Sequence, residues 1–187
     1  VYKRQIYLGG VGPKMTEAAG EVADGMLLHP FHTERSLQTV MLPNLRRGLE
    51  TSGRELSDFA VCAQAMVATG KDEAGIEAAK AMIRNQIAFY ASTPAYRSVL
   101  DAEGYGELQP ELRRLTKEGR WHEMAGLIDD TLLGRVAAVG APREVASTLH
   151  ARYGSLAQRL AFASPFPLPQ ESAAEVVSIL RSREERG

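Results

Sequence analysis

The stretch Tyr7-Leu8-Gly9-Gly10-Val11-Gly12-Pro13-Lys14-Met15 carries the fold decision. It passes from a β-type run, Gln5–Leu8, through a glycine-rich turn into the start of a helix. Pro13 suits the first helical position, where its missing N–H is not needed. Met15, Ala18, Ala19 and Val22 follow at i, i+3, i+4 and i+7, which predicts one helical face, and Asp24-Gly25 ends it. Strand, glycine turn and helix together open a βα unit. Glycines let a backbone come close to a ligand and adopt positive φ. The first amides of a helix have no internal acceptor and lie at the positive end of its dipole. Gly9, Gly10, Val11, Gly12, Pro13 and Lys14 are therefore a candidate anion site, suited to a phosphate or carboxylate. The spacing equally allows a tight βα turn that holds nothing. It fits neither G-x-G-x-x-G nor the P-loop, so both of those nucleotide readings fall.

Working outward, the same alternation recurs. Met26–Pro30 is a second apolar run. Thr33 can cap a helix with Leu37, Val40, Met41, Leu45 and Leu49 on one side and a kink at Pro43. Phe59–Thr69 is nearly all apolar, as in a strand buried on both faces of a parallel sheet. Asp72 caps a helix striped by Ile76, Ala79, Ile83, Ile87 and Tyr90. Broken helical pieces follow and predict a helical insertion at about 93–135. Pro142 opens a helix with Val145 and Leu149 inward. Leu156–Ser164 reads as the fourth strand, and Gln170–Arg183 as a last helix with Ala174, Val177 and Leu180 inward. Strands alternating with helices argue for one α/β domain with a parallel sheet and right-handed crossovers. The architecture is either a small open sheet or half of an eight-fold barrel.

Composition narrows the function. The 187 residues suit one domain, and 22 basic against 23 acidic residues leave a net charge of −1, so nothing asks for nucleic acid. No apolar run reaches the roughly 18 residues of a membrane span. The single Cys62 cannot form an internal disulfide, and a cytoplasmic protein is expected. The chain opens on Val1 rather than Met and enters a strand almost at once. A fragment of a longer protein is expected, with Val1–Gln5 as a join.

His29 and His32 flank Pro30-Phe31 just after the second strand. C-terminal strand ends of a parallel sheet face the ligand crevice. Either histidine could touch substrate or relay a proton, or simply bond the loop backbone. Two histidines without a third ligand make no metal site. Asp129-Asp130 and Glu103 read as caps or solvated faces, Cys62 as buried and inert, and Trp121 with His122 as packing. No nucleophile, base and orienter set is present, which disfavours a hydrolase.

The run Ile6–Met15, followed by Ala18-Ala19-Gly20-Glu21-Val22-Ala23-Asp24-Gly25, resembles the luciferase-like monooxygenase superfamily. Leu28-His29-Pro30-Phe31-His32-Thr33 looks like its F420-dependent oxidoreductase branch. Phe89–Tyr96, Gly104-Tyr105-Gly106, Ile128-Asp129-Asp130 and Val139–Ala146 add to the likeness, which covers nearly the whole chain. The resemblance implies the C-terminal half of a (β/α)8 TIM barrel, strands five to eight, with the helical insertion before the last strand. It implies hydride transfer with the deazaflavin coenzyme F420, with FMN as the alternative cofactor, on a small-molecule substrate. Gly9 to Lys14 would help hold the cofactor phosphate, in line with the rule that barrel sites lie at C-terminal strand ends. His29 and His32 would border the pocket, and the catalytic residues would lie in the absent N-terminal half. A half-barrel leaves open edges, so a homo-oligomer or the missing half is the expected partner. A chain of this length acting by itself would instead be a non-catalytic anion-binding or self-assembling α/β module.

Overall fold

In a computed structural model, which describes residues 4–184, five parallel strands form one sheet. They are β1 (Tyr7–Gly10), β2 (Gly25–Leu28), β3 (Ala60–Ala68), β4 (Ala137–Val139) and β5 (Arg159–Ala163). Val1–Lys3 of the expected join lie outside the described residues. β3 is the hub. It pairs with β2 through Ala60–Cys62, with β5 through Cys62–Met66 and with β4 through Met66–Ala68.

The first helices are α1 (Pro13–Val22), α2 (Glu34–Ser36) and α3 (Leu42–Thr51). α4 (Glu73–Ala91) then leads into a cluster of α5 (Arg97–Glu103), α6 (Leu108–Lys117), α7 (Trp121–Met124) and α8 (Asp130–Val136). α9 (Pro142–Tyr153) and α10 (Gln170–Glu184) complete the chain. Their starts follow local chemistry. Gly12 takes φ +83° and Pro13 follows as the first helical residue. Thr33 and Ser36 cap α2 reciprocally, while the Asp72 and Asp129 carboxylates accept from the Gly75 and Leu132 amides at the starts of α4 and α8.

The structure corrects the sequence reading in four places. A fifth strand, Ala137–Val139, precedes α9; three residues are too few to show a period of two. Instead of a kink at Pro43, a π-helical turn at Leu37–Met41 joins α2 to α3, with Pro43 in the first turn of α3. The buried face of α1 is Thr16, Ala19, Gly20 and Ala23, and Val22 stands 73% exposed. Small side chains there let α3 come close, which a larger Met15/Val22 face would prevent. In α10 the buried residues are Ser172 and Val176. Ala174 and Val177 line open grooves beside β5, whereas Leu180 also packs, partly buried, against the core as expected.

Parallel register sorts side chains into two faces, because residues opposite one another point the same way. Leu8, Met26, Val61, Ala63, Leu160 and Phe162 share the face packed with Ala19, Leu45, Leu49, Val145, Leu149 and Val176 of the helices. Gly9, Leu27, Cys62, Gln64, Arg159 and Ala161 share the other. Among the described residues, that face is covered at its C-terminal end, where Met66 and Ala68 pack with Ile83, Ile87 and the α5–α8 cluster.

Backbone contact between α1 and α3 makes a firm stability prediction. A Cβ added at Gly48 would meet the Glu17 carbonyl oxygen at 1.9 Å, and one at Gly20 would meet the Leu45 oxygen at 2.5 Å. Gly48→Ala must force the helices apart and should cost about 2–3 kcal/mol. Gly53→Ala, in open space, serves as the comparison although its φ of +69° adds local strain. A urea midpoint for Gly48→Ala at or above that of Gly53→Ala would refute the close-packing account.

Candidate functional site

The glycine turn, the end of β2 and the start of α2 converge on one cleft. It encloses about 60 Å³ and is lined by Gly10, Val11, Gly12, Thr16, His29 and His32, with Ser36, Ser98 and apolar side chains behind them. Its floor is backbone. Gly12 accepts from the Thr16 hydroxyl (2.9 Å) and the Thr16 amide (3.2 Å), so the first α1 turn is fixed from inside. No side chain caps the helix, and Lys14 and Met15 stand exposed. The Lys14 and Met15 amides precede the first intrahelical bond at Thr16 and are left to an outside acceptor. Gly10 cannot be larger, since a Cβ would meet Met15 Cβ at 2.9 Å. This geometry can take a small oxyanion.

His29 to His32 form a corner that folds on itself. The His32 amide donates to the Pro30 carbonyl (3.2 Å), and His32 Nδ1 lies 2.7 Å from the His29 carbonyl oxygen. A carbonyl only accepts, so Nδ1 carries the His32 proton and Nε2 accepts from the Tyr153 hydroxyl at 2.8 Å. His29 has the opposite tautomer. Its Nδ1 accepts from the Phe31 amide (3.2 Å), which leaves Nε2–H to donate to the Tyr96 hydroxyl (3.1 Å). The His29 ring stacks on Tyr96 and meets Tyr90 edge-on, each at 4.6 Å.

The two histidines thus separate. His32 is buried, and burial pushes its pKa down to about 4, so it is a neutral tether between the corner and α9. His29 is half-buried, and burial also holds it below the usual histidine value. Only His29 combines partial exposure with a polar partner at each ring nitrogen. The sequence reading does not anticipate Tyr96 and Tyr153 as those partners. Tyr153 follows Leu149 by four residues on the inward face of α9, which is a legible signal. Tyr96 depends on how the α4–α5 connection folds back, which is not.

Other expected residues lie elsewhere. Asp129 caps α8 and accepts from the Tyr105 hydroxyl at 2.8 Å, Asp130 pairs with Arg84, and Glu103 with Arg135. Cys62 is half-buried on the open sheet face rather than enclosed. Trp121 is 48% exposed beside Phe89, so it is not a core residue.

Comparison with known proteins agrees with this fold. Residues 2–159 match the family model described as luciferase-like monooxygenase. An uncharacterized protein of Mycobacterium tuberculosis is 49% identical over 156 residues, 83% of this chain and 46% of its own length. The 5,10-methylenetetrahydromethanopterin reductase of Methanopyrus kandleri is 25% identical over 172 residues, 91% of this chain and 48% of its own. The solved structure of coenzyme F420 dependent tetrahydromethanopterin reductase from that organism superposes with a TM-score of 0.74 at 23% identity, over 92% of this chain and 48% of that one. An F420-dependent secondary alcohol dehydrogenase, solved with an F420-acetone adduct, superposes with a TM-score of 0.63 at 16% identity, over 96% and 50%. The chain spans about half the length of the curated relatives it matches. It belongs to the luciferase-like monooxygenase family.

His32 sets a pH dependence. Its folded pKa lies below the unfolded 6.5, so the unfolded chain binds more protons between about pH 4 and 6.5, and stability falls with pH across that window. The two values correspond to a loss of about 2 kcal/mol between pH 7 and pH 5. His32→Gln should flatten this limb in urea unfolding; an unchanged slope would show that His32 is not buried neutral.

Proposed function

We propose that this member of the luciferase-like monooxygenase family is part of an oxidoreductase that transfers hydride with coenzyme F420, and that Gly9 to Lys14 anchor the cofactor's phosphate. The observation that carries the reading is the fit of the turn. Uncapped amides, a backbone floor and an adjacent Lys14 suit a phosphate in charge and size. The deazaflavin, when bound, supplies the hydride chemistry. Gly10, Val11 and Gly12 would hold its anionic group by backbone approach, and Lys14 would add a charge-assisted contact. His29, kept neutral by burial, would hold a proton at Nε2 on the rim beside Tyr96. His32 would position the corner through Tyr153.

In this reading the chain is the C-terminal half of a (β/α)8 barrel, strands five to eight, with a helical insertion before the last strand. Three features support it. β1 and β5 each have one sheet neighbour among the described residues. Leu27 stands 38% exposed on the sheet face that helices cover only at its C-terminal end among the described residues, and apolar α10 residues line grooves beside β5. The relatives are also about twice as long as the aligned part. The N-terminal half is the proposed partner for that face, with a second copy of the chain as the substitute. FMN is the second cofactor reading, because the family description is of monooxygenases and the turn addresses a phosphate that both cofactors carry.

The test is titration with F420, FMN and phosphate-free riboflavin. Gly12→Val imposes a side chain at φ +83° and blocks backbone approach, so affinity for F420 and FMN should fall about tenfold or more while riboflavin binding stays unchanged. Lys14→Ala should cost about 1 kcal/mol. A folded Gly12→Val protein with undiminished affinity would remove the turn from the site.

A further inference from the structure

A second pocket, of about 250 Å³, lies where β3, β5 and α4 meet. Its polar lining is Gln64, Gln86 and Ser164, and its walls include Pro30, Tyr90 and Phe162. Gln64 interrupts the apolar run Ala60–Ala68, and the register turns it onto the open sheet face. Gln86 lies four residues before Tyr90, on the same side of α4. Both glutamines are half-buried. Neither carboxamide has a hydrogen-bond partner among the described residues.

We infer that Gln64 and Gln86 are a recognition pair for an uncharged, planar group that presents a carbonyl beside an N–H. Each carboxamide offers one acceptor and two donors, so two of them can bracket a lactam, imide or carboxamide edge from both sides. No lining side chain is charged, so an ion entering would lose hydration without gaining a counter-charge. The Tyr90 ring and Pro30 suit the flat body of such a ligand. Partly buried amides lacking protein partners gain most from a ligand that supplies them.

The inference rests on the proposed oxidoreductase reading for its place at the C-terminal strand ends, yet it concerns a different pocket. The His29–Phe31 corner stands between the two: His29 and Phe31 line the anion cleft, and Pro30 lines this one. Two sources share the chemistry, the pyrimidinedione edge of a flavin or deazaflavin ring and a carboxamide-bearing substrate.

The experiment titrates the chain, Gln86→Leu and Gln64→Leu with riboflavin, nicotinamide and benzoate, read by flavin fluorescence and by saturation-transfer NMR. The wild-type chain should bind riboflavin or nicotinamide and reject benzoate, the charged counterpart of a carboxamide. Each leucine variant should lose about tenfold. Loss for riboflavin assigns the pair to the cofactor ring; loss for nicotinamide alone assigns it to substrate. If Gln64→Leu does not fold, Gln86→Leu, on a helix surface, decides. Equal affinity of Gln86→Leu and wild type for both probes, or no binding of either by wild type, overturns the inference. Gly12→Val separates it from the anchoring proposal. If Gly12→Val spares FMN while Gln86→Leu weakens riboflavin, the anchor fails and the amide pair stands. If Gly12→Val weakens FMN while Gln86→Leu spares riboflavin and nicotinamide, the anchor stands and the amide pair fails.

Discussion

β3 pairs with three strands, and its register determines which side chains can ever meet. With a period of two, Val61, Ala63, Ala65 and Val67 go to the helices, and Cys62, Gln64 and Met66 go to the opposite face. A slip of one residue would drive the Gln64 amide into a dry helical layer and turn four apolar side chains outward. Burial of an unpartnered amide and exposure of valines are both unfavourable, so the register is strongly specified. The anion turn follows the C-terminal end of β1, and the pocket of the amide pair opens beside the C-terminal end of β5.

The alternation of strand and helix was legible because most elements announce themselves locally. Thr33, Asp72 and Asp129 each cap the helix that follows. The turn Gly9–Lys14 was legible because φ above zero at Gly12 and proline at the next position are chemical requirements, not preferences. What was lost is what depends on a partner. The helical phase of α10 follows from where α9 lies rather than from its own apolar stripe. A three-residue strand such as β4 exists only because β3 runs on past its pairing with β2, which ends at Cys62, and offers that edge to Ala137–Val139 at Met66–Ala68. Gln64 was a visible signal, a lone amide inside an apolar run, but its meaning required the face to be known.

The two histidines show why residue type and spacing underdetermine a site. Three positions apart in one loop, they adopt opposite tautomers and differ in burial. His32 spends both nitrogens on the protein itself, one on the loop and one on α9. It therefore fixes where the corner sits. His29 contacts the chain leading into α5 through Tyr96 while remaining half exposed. The corner is consequently held at both ends by neutral hydrogen bonds, which salt does not screen and which survive until the pH falls far enough to protonate His32.

The cleft at the turn, of about 60 Å³, has room for an oxyanion. Backbone amides and one lysine recognise charge, and many ligands carry a phosphate. Selectivity must then arise from groups that read shape and hydrogen-bond pattern, since an unpaired buried donor or acceptor rejects a wrong ligand far more strongly than a missing methylene does. Among the described residues, the uncharged pocket under α4 offers that kind of discrimination. A division of labour follows: charge is read where β1 meets α1, and pattern is read where β3 and β5 end beneath α4. The open sheet face between these pockets and the β5 edge is the surface on which any further selectivity has to be built.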